Sequence, residues 1–278
     1  MKILHVYRTF YPDPPGGLQE AIRQIALSTR ELGCENRIFC LSPNPNPEIE
    51  YIDDFPVYRA KSWIAPYSCD LGLIGSFKLF KDLAAWADIV QIHFPWPFAD
   101  IMNILSRHKK PKIMTYHSDV VGKGLIGILY APLLRKTLSS MDAVVTTSPR
   151  YAETSPFLKL IVPKDKLKSI NYGVHEHSYE SFFTDSERVD VEADFGLEKE
   201  KYFLFLGVLR KYKGLDYLFP ASDLSDLPVA IGGSGELKDY YYEKAKAHEN
   251  IKMLGHLTDG EKIALIKNCK GLILPSHL

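Results

Sequence analysis

Short apolar runs alternate with segments of helical period along almost the whole chain, and this alternation restricts the fold more than any other sequence feature. Lys2–Tyr7 (KILHVY) reads as a buried strand. Leu18–Leu32 follows as an amphipathic helix, with Ile22, Ile25, Ala26 and Thr29 on one face and Gly33 as its stop. Asn36–Leu41, Asp88–His93, Lys112–His117 and Asp142–Thr146 are further strands with helical stretches between them. Strand, helix, strand in repetition predicts a doubly wound α/β domain with a parallel sheet. Pro43–Pro47 (PNPNP) reads as an irregular connection.

The alternation restarts at Tyr202–Gly207 and continues through strands at Pro228–Ile231, Ile251–Leu254 and Gly271–Leu274. Helices are expected near Leu215–Phe219, Leu237–His248 and Gly260–Asn268. Between the two runs, Glu176–Glu200 holds nine acids against two bases and has weak periodicity, so it is expected to be a solvated connector. The predicted organisation is one domain over 1–185 and a second over 200–278. The last strand has no crossover helix after it, so the second domain is expected to be incomplete.

Composition then narrows the function classes. The chain has 278 residues and balances 34 Lys+Arg against 34 Asp+Glu. A zero net charge gives no whole-surface basic footprint, so no nucleic-acid partner is expected. Cys34, Cys40, Cys69 and Cys269 show no zinc spacing and are expected as reduced thiols. His175-Glu176-His177 lacks a third ligand at a telling spacing and reads as a loop; no metal site is expected. The N-terminus does not read as a signal peptide, so none is expected, and the longest apolar stretch, Gly124–Leu134, is too short to span a bilayer. A soluble, cytoplasmic protein is expected.

Five constellations could carry chemistry. Gly16 and Gly17 open a helix after the first strand, where bare N–H groups can meet an anion; on the motif alone a glycine turn without a ligand is the first reading. Arg210, Lys211 and Lys213 follow the strand Tyr202–Gly207, where open α/β sheets bind ligands, and could hold a diphosphate. Gly233 and Gly235 open a helix after Ile231. His93 and His117 stand at the carboxyl ends of two strands, where an imidazole can donate a hydrogen bond or relay a proton. Finally, Lys123–Met141 carries an apolar stripe (Ile126, Leu129, Tyr130, Leu133, Leu134) with basic residues. A core helix is the default reading there, and a membrane-surface helix is the alternative.

In their order, PPGGLQEAIRQIA, TYHSD, DAVVTTSPRYAETSP, FLGVLRKYKGLDYL, IGGSGEL and NIKMLGHLTDGEKIALIKNCKGLILPS resemble the retaining, family-4 glycosyltransferases of the GT-B fold. That family includes bacterial mannosyltransferases of O-antigen and capsule assembly. The resemblance implies two Rossmann-like domains facing a cleft, and metal-independent transfer of a hexose such as mannose. The donor would be a GDP- or UDP-linked sugar, with no cofactor, and the acceptor a glycan or lipid-linked hydroxyl. Such an acceptor allows peripheral contact with the inner membrane face. By position, Lys213 would contact the donor diphosphate, and Gly16 and Gly17 would approach it or the sugar. Gly233, Gly235 and His256 would line the nucleotide, and His117 would orient the sugar. His93 is a candidate for acceptor or sugar contact.

Two departures from the family's pattern stand out. The arginine usual after the strand-end glycine is replaced by Val208, leaving Arg210 as the nearest. The family's E-x7-E pair does not occur after Pro275-Ser276. The alternatives are therefore a truncated, catalytically inactive nucleotide-binding fragment, or a GT-B sugar-nucleotide epimerase.

Overall fold

The computed structural model describes residues 1–13, 16–66, 69–120, 124–175 and 178–277. Of the residues singled out above, Lys123, Glu176 and His177 lie outside the described residues, as does the side chain of Ile126. The chain divides into two compact units, Met1–His175 and Glu176–Leu278.

The first unit runs β1 (Lys2–Val6), α1 (Gly17–Glu31), β2 (Glu35–Ser42), β3 (Ile49–Ile52), β4 (Phe55–Ile64) and β5 (Leu71–Gly72). It continues with α2 (Ile74–Trp86), β6 (Ile89–Phe94), α3 (Pro97–Ser106), β7 (Lys112–Tyr116), α4 (Gly124–Ser140) and β8 (Ala143–Thr146). It closes with α5 (Pro149–Thr154), α6 (Pro156–Ile161) and β9 (Leu167–Ser169). The strands form one sheet in the order β3-β4-β2-β1-β6-β7-β8-β9, with β5 on β4. All pairings are parallel except those of β3 and β5 with β4.

Both faces of this sheet are covered, as parallel pairing requires. Leu4, Val6, Ile92, Met114 and Val144 face one core with Phe80, Met102 and Leu138 from the helices and Trp96 from the loop before α3. On the other face Ile38, Cys40 and Val57 pack beneath Ile22, Ala26 and Leu27 of α1. The alternation of strand residues between two cores is the period-2 consequence of the pleat.

The second unit holds α7 (Glu180–Ser186), α8 (Val191–Phe195), β10 (Phe203–Leu206), α9 (Leu215–Ser222) and β11 (Val229–Gly232). Next come α10 (Lys238–Ala245), β12 (Ile251–Gly255), α11 (Asp259–Asn268) and β13 (Gly271–Leu272). Its parallel sheet has the order β12-β11-β10-β13. Tyr202 and Leu204 face one core with Leu257 and Leu265, while Phe205 and Ile231 face another with Leu215, Phe219 and Tyr241.

Three expectations change. The acidic segment after residue 176 is not a bare connector: it forms α7 and α8, and Val191 and Leu197 enter the second core. The division therefore falls at 175/176 instead of within 185–200. Residues 49–72 contain β3, β4 and β5, whose short or interrupted patterns hid them from a periodicity reading. On α4, Tyr130 and Leu134 of the expected stripe pack into the core with Leu138, but Leu129 is exposed, as is Ile128, so the stripe is only in part the buried face. Among the described residues, no helix is long and apolar enough to cross a membrane. The four cysteines are unpaired, and burial pushes the Cys40 thiol well above its ordinary range.

Gly233 shows how tightly the second unit is built. It has φ +139, and a Cβ there would stand 1.9 Å from the Gly207 carbonyl oxygen. Neither the conformation nor the space admits a side chain. Gly233→Ala should lower the unfolding free energy by about 3 kcal/mol, combining strain with backbone overlap. A urea midpoint within error of the wild type would contradict this.

Candidate active site

In the first unit the strand order reverses around β1, which lies between β2 and β6. Open α/β sheets form their ligand crevice outside the carboxyl ends of the strands at such a reversal. Three histidines mark this place. His5 Nδ1 lies 3.2 Å from His93 Nε2, and His93 Nδ1 lies 3.1 Å from His117 Nε2. The His117 Nδ1 is in turn bonded to the Tyr172 hydroxyl. The four rings stack, with centroids 5.4, 5.3 and 5.7 Å apart in succession. The register explains the geometry: His93 lies opposite Thr115 on β7, so His5, His93 and His117 fall on one face of adjacent strands.

At the inner end, His5 Nε2 is 3.0 Å from Asn36 Oδ1, and Asn36 Nδ2 donates to the Ala26 carbonyl at 3.0 Å. Burial drives all three imidazoles toward the neutral form. It lowers His5 to about 4 and His117 to about 4, and His93 lies well below the usual histidine range.

The loop that carries His117 is pinned by Asp119. Its Oδ1 accepts from Tyr116 Oη and from Ser155 Oγ, both at 2.8 Å. Ser155 also caps α6. Close by, the Arg8 side chain reaches Asp70 at 3.4 Å, and Asp70 accepts from Ser62 at 3.1 Å.

His93 is not placed to touch a ligand. It is fully buried, and both ring nitrogens are engaged, so the expected direct contact is replaced by a contact to His117. Gly16 and Gly17 stand at the start of α1, and Gly16 is its N-cap without a side-chain cap bond. A Cβ at Gly17 would meet nothing within 4 Å.

In the second unit the order reverses between β10 and β13. The loops after β10, β11 and β12 are knitted by their backbones. Gly207 N–H donates to Gly232, Leu209 N–H to Ser234 and Gly233 N–H to Gly255, at 3.0, 2.9 and 2.7 Å. Gly235 belongs to this weave, since a Cβ there would stand 2.7 Å from the backbone of Leu209. Gly233 and Gly235 thus have an internal reason to lack side chains.

The weave supports a 3-10 turn, Lys211–Lys213, for which Arg210 is the N-cap. The Arg210 Nε lies 3.9 Å from Glu236. Lys213 Nζ sits 5.3 Å from the Tyr212 ring centre, and no carboxylate lies within 4.0 Å of it among the described residues. His256 is exposed directly after Gly255. Arg210, Lys213, Gly233, Gly235 and His256 therefore share one sheet edge. Among the described residues, no cluster of three or more His, Cys, Asp or Glu is arranged to hold a metal ion.

Sequence reasoning missed His5, Asn36 and Tyr172. The signal for His5 was present: a lone polar residue inside the apolar run KILHVY. Nothing in the sequence pairs Asn36 or Tyr172 with it.

The comparisons agree with this division of the chain. The family model "Glycosyltransferase Family 4" matches residues 15–177, and "Glycosyl transferases group 1" matches residues 190–278. The chain is 36% identical to D-rhamnosyltransferase WbpZ of Pseudomonas aeruginosa, over 100% of this chain and 72% of that protein. It is 34% identical to O-antigen chain mannosyltransferase C of Escherichia coli, over 100% of this chain and 73% of that protein. Among solved structures, sucrose-phosphate synthase from Thermosynechococcus elongatus superposes with a TM-score of 0.74 at 14% identity, covering 99% of this chain and 75% of that one. Anabaena HepE in complex with UDP superposes with a TM-score of 0.71 at 16% identity, covering 100% and 75%.

The neutral state of the histidines is measurable. The unfolded rings take up protons as the pH falls through about 6.5, whereas the buried rings resist until about 4. They therefore withdraw stability as the pH falls across that window. Asp100 acts in the opposite sense, because burial raises its carboxyl to about 7. In an Asp100→Asn background, the urea midpoint should fall from pH 6.5 to 4.5. The ring signals of His5 and His93 should not titrate above pH 5; titration of either near 6.5 would contradict the burial argument.

Proposed function

The chain belongs to glycosyltransferase family 4, and from that membership we propose that it moves a hexose from a nucleotide-diphosphate sugar to a glycan hydroxyl, with retention at the anomeric carbon. The observation that carries this reading is Lys213. Its ammonium stands free of carboxylates among the described residues, beside a loop weave that ends the strand β10. A cation held there can offset the charge that builds on a departing diphosphate.

Arg210 supplies a second cation three residues earlier, two positions after Val208, where the family's arginine would stand, although Glu236 competes for it. Gly233, Gly235 and His256 frame the nucleotide from the same edge. The names of the relatives support a mannose-like or deoxyhexose donor and an O-antigen type of acceptor, and the UDP complex of HepE supports a nucleotide ligand for the fold. GDP- and UDP-linked donors both fit this reading. The transfer needs no metal in it, because cationic side chains and backbone N–H groups take the charge.

Both ring nitrogens of His117 are engaged, by His93 and by Tyr172, so His117 acts on the sugar through the Tyr172 hydroxyl it holds, and Gly16 and Gly17 admit the sugar. A Cβ at Gly17 would meet nothing within 4 Å, so its backbone is open to a ligand. A lipid-linked acceptor accords with the exposed Ile128 and Leu129 on α4, which also carries Arg135 and Lys136.

Lys213→Ala should lower kcat by roughly 10²–10³, the cost of removing one preorganised charge-stabilising group. A radiolabelled donor panel measures this, and near-normal turnover would remove Lys213 from the site. EDTA should leave transfer unchanged. Gly17→Ala should keep or slightly raise stability, as alanine is favoured over glycine in a helix by about 1 kcal/mol. The same change should reduce transfer about tenfold. Release of an epimerised free sugar, instead of a glycosylated product, would overturn the transferase reading.

A further inference from the structure

The hydrogen-bond chain through the first unit has a direction, and the direction can be worked out atom by atom. It begins at Ala26, whose carbonyl oxygen can only accept. Asn36 must therefore turn its NH2 toward Ala26 and its Oδ1 toward His5. An oxygen in that position obliges His5 to carry its proton on Nε2. A neutral His5 then offers a bare Nδ1, which obliges His93 to donate from Nε2. The same step repeats, so His93 Nδ1 accepts from His117 Nε2. His117 Nδ1 is left bare and accepts the Tyr172 proton.

No ring in the series can be reversed alone. Reversal would place two protons or two lone pairs face to face in a site without water-like screening. Nor can the series conduct a proton inward, because it ends on an amide oxygen and would strand an imidazolium at His5, which is fully buried.

We propose that Asn36, His5 and His93 are positioning residues that hold His117 as its Nε2–H tautomer and turn the Tyr172 hydroxyl proton inward, so that this part of the site offers the sugar only oxygen lone pairs. The ligand group facing Tyr172 must then be a hydrogen-bond donor, such as a sugar hydroxyl. The consequence for specificity rests on the reading given above, in which the sugar lies at this edge; the tautomer assignment does not. Tyr172 suits the role: about half exposed, it has one side on His117 and lone pairs left over, while burial and the nearby Tyr7 raise its hydroxyl to about 12, so it stays protonated. A site that fixes its polarity in this way discriminates strongly against an analogue that cannot complete the bond.

The first test is long-range 15N–1H correlation on the 278-residue chain without ligand. All three rings should show the Nε2-protonated pattern at pH 7. Any of them as the Nδ1–H tautomer overturns the proposal, whatever the activity. The second test uses His93 variants. His93→Gln keeps an acceptor oxygen toward His117 and should preserve the His117 tautomer. His93→Phe keeps the ring stack but removes both bonds, and should release His117 to a mixture. If His93→Phe does not fold, the wild-type spectrum still decides.

The third test compares transfer from a donor sugar with transfer from analogues in which single hydroxyls are replaced by fluorine, which accepts but does not donate. One analogue should lose about tenfold or more in kcat/KM with the wild type and much less with Tyr172→Phe. Equal sensitivity of both enzymes to every analogue overturns the specificity claim. Absence of transfer from every donor would instead overturn the functional reading and leave the tautomer result standing.

Discussion

Parallel pairing makes every strand of a sheet end at the same edge, and both units of this chain depend on that constraint. In the first unit it brings the ends of β1, β6 and β7 side by side, so histidines far apart in sequence meet as a stacked series. In the second it gathers the loops after β10, β11 and β12 close enough to exchange backbone hydrogen bonds. An antiparallel sheet would send alternate loops to opposite edges. The same constraint demands cover on both faces of each sheet, which is why helices alternate with strands outside the β2–β5 stretch.

Polar groups at those edges survive burial because they are paired. His5, His93 and Asn36 are almost without exposure, yet their ring and amide groups find partners in one continuous series. An imidazolium in the same place would lose its hydration without a counter-ion, so the neutral forms win. Asp100 shows the other outcome. It is fully buried, one carboxylate oxygen accepts from Tyr130, the other has no partner among the described residues, and its carboxyl responds by holding its proton to about pH 7. The glycines divide on similar grounds. Gly233 and Gly235 are required by neighbouring backbone, whereas Gly17 faces open space.

Much of this was legible from residue order alone. The strands at Lys2, Asn36, Asp88, Lys112 and Asp142 lie within a residue or two of their observed ranges, because a buried parallel strand is a short unbroken apolar run. The strands between 49 and 72 were not legible: β5 has two residues, and β4 buries the polar Arg59 and Ser62 while leaving Lys61 exposed. The acidic stretch after 176 looked like a solvated connector since charge dominates it, yet Val191 and Leu197 suffice to anchor it in a core. His93 looked like a ligand contact because strand ends line clefts, but a residue still inside the strand is covered by its neighbours.

By itself the sequence determined the α/β class, the two-unit organisation, the family and the basic cluster at Arg210 to Lys213. These follow from local period, motif order and composition, which are properties of neighbouring residues. Only the tertiary structure decided that His5, Asn36 and Tyr172 join His93 and His117, and that Asp119 pins the loop between them. The physical reason is that hydrogen-bond partners 24 to 88 residues apart are selected by strand order and register. Neither is written in any local pattern: the order of strands in a sheet is settled by how whole cores pack, and the direction of a proton follows only once each partner is in place.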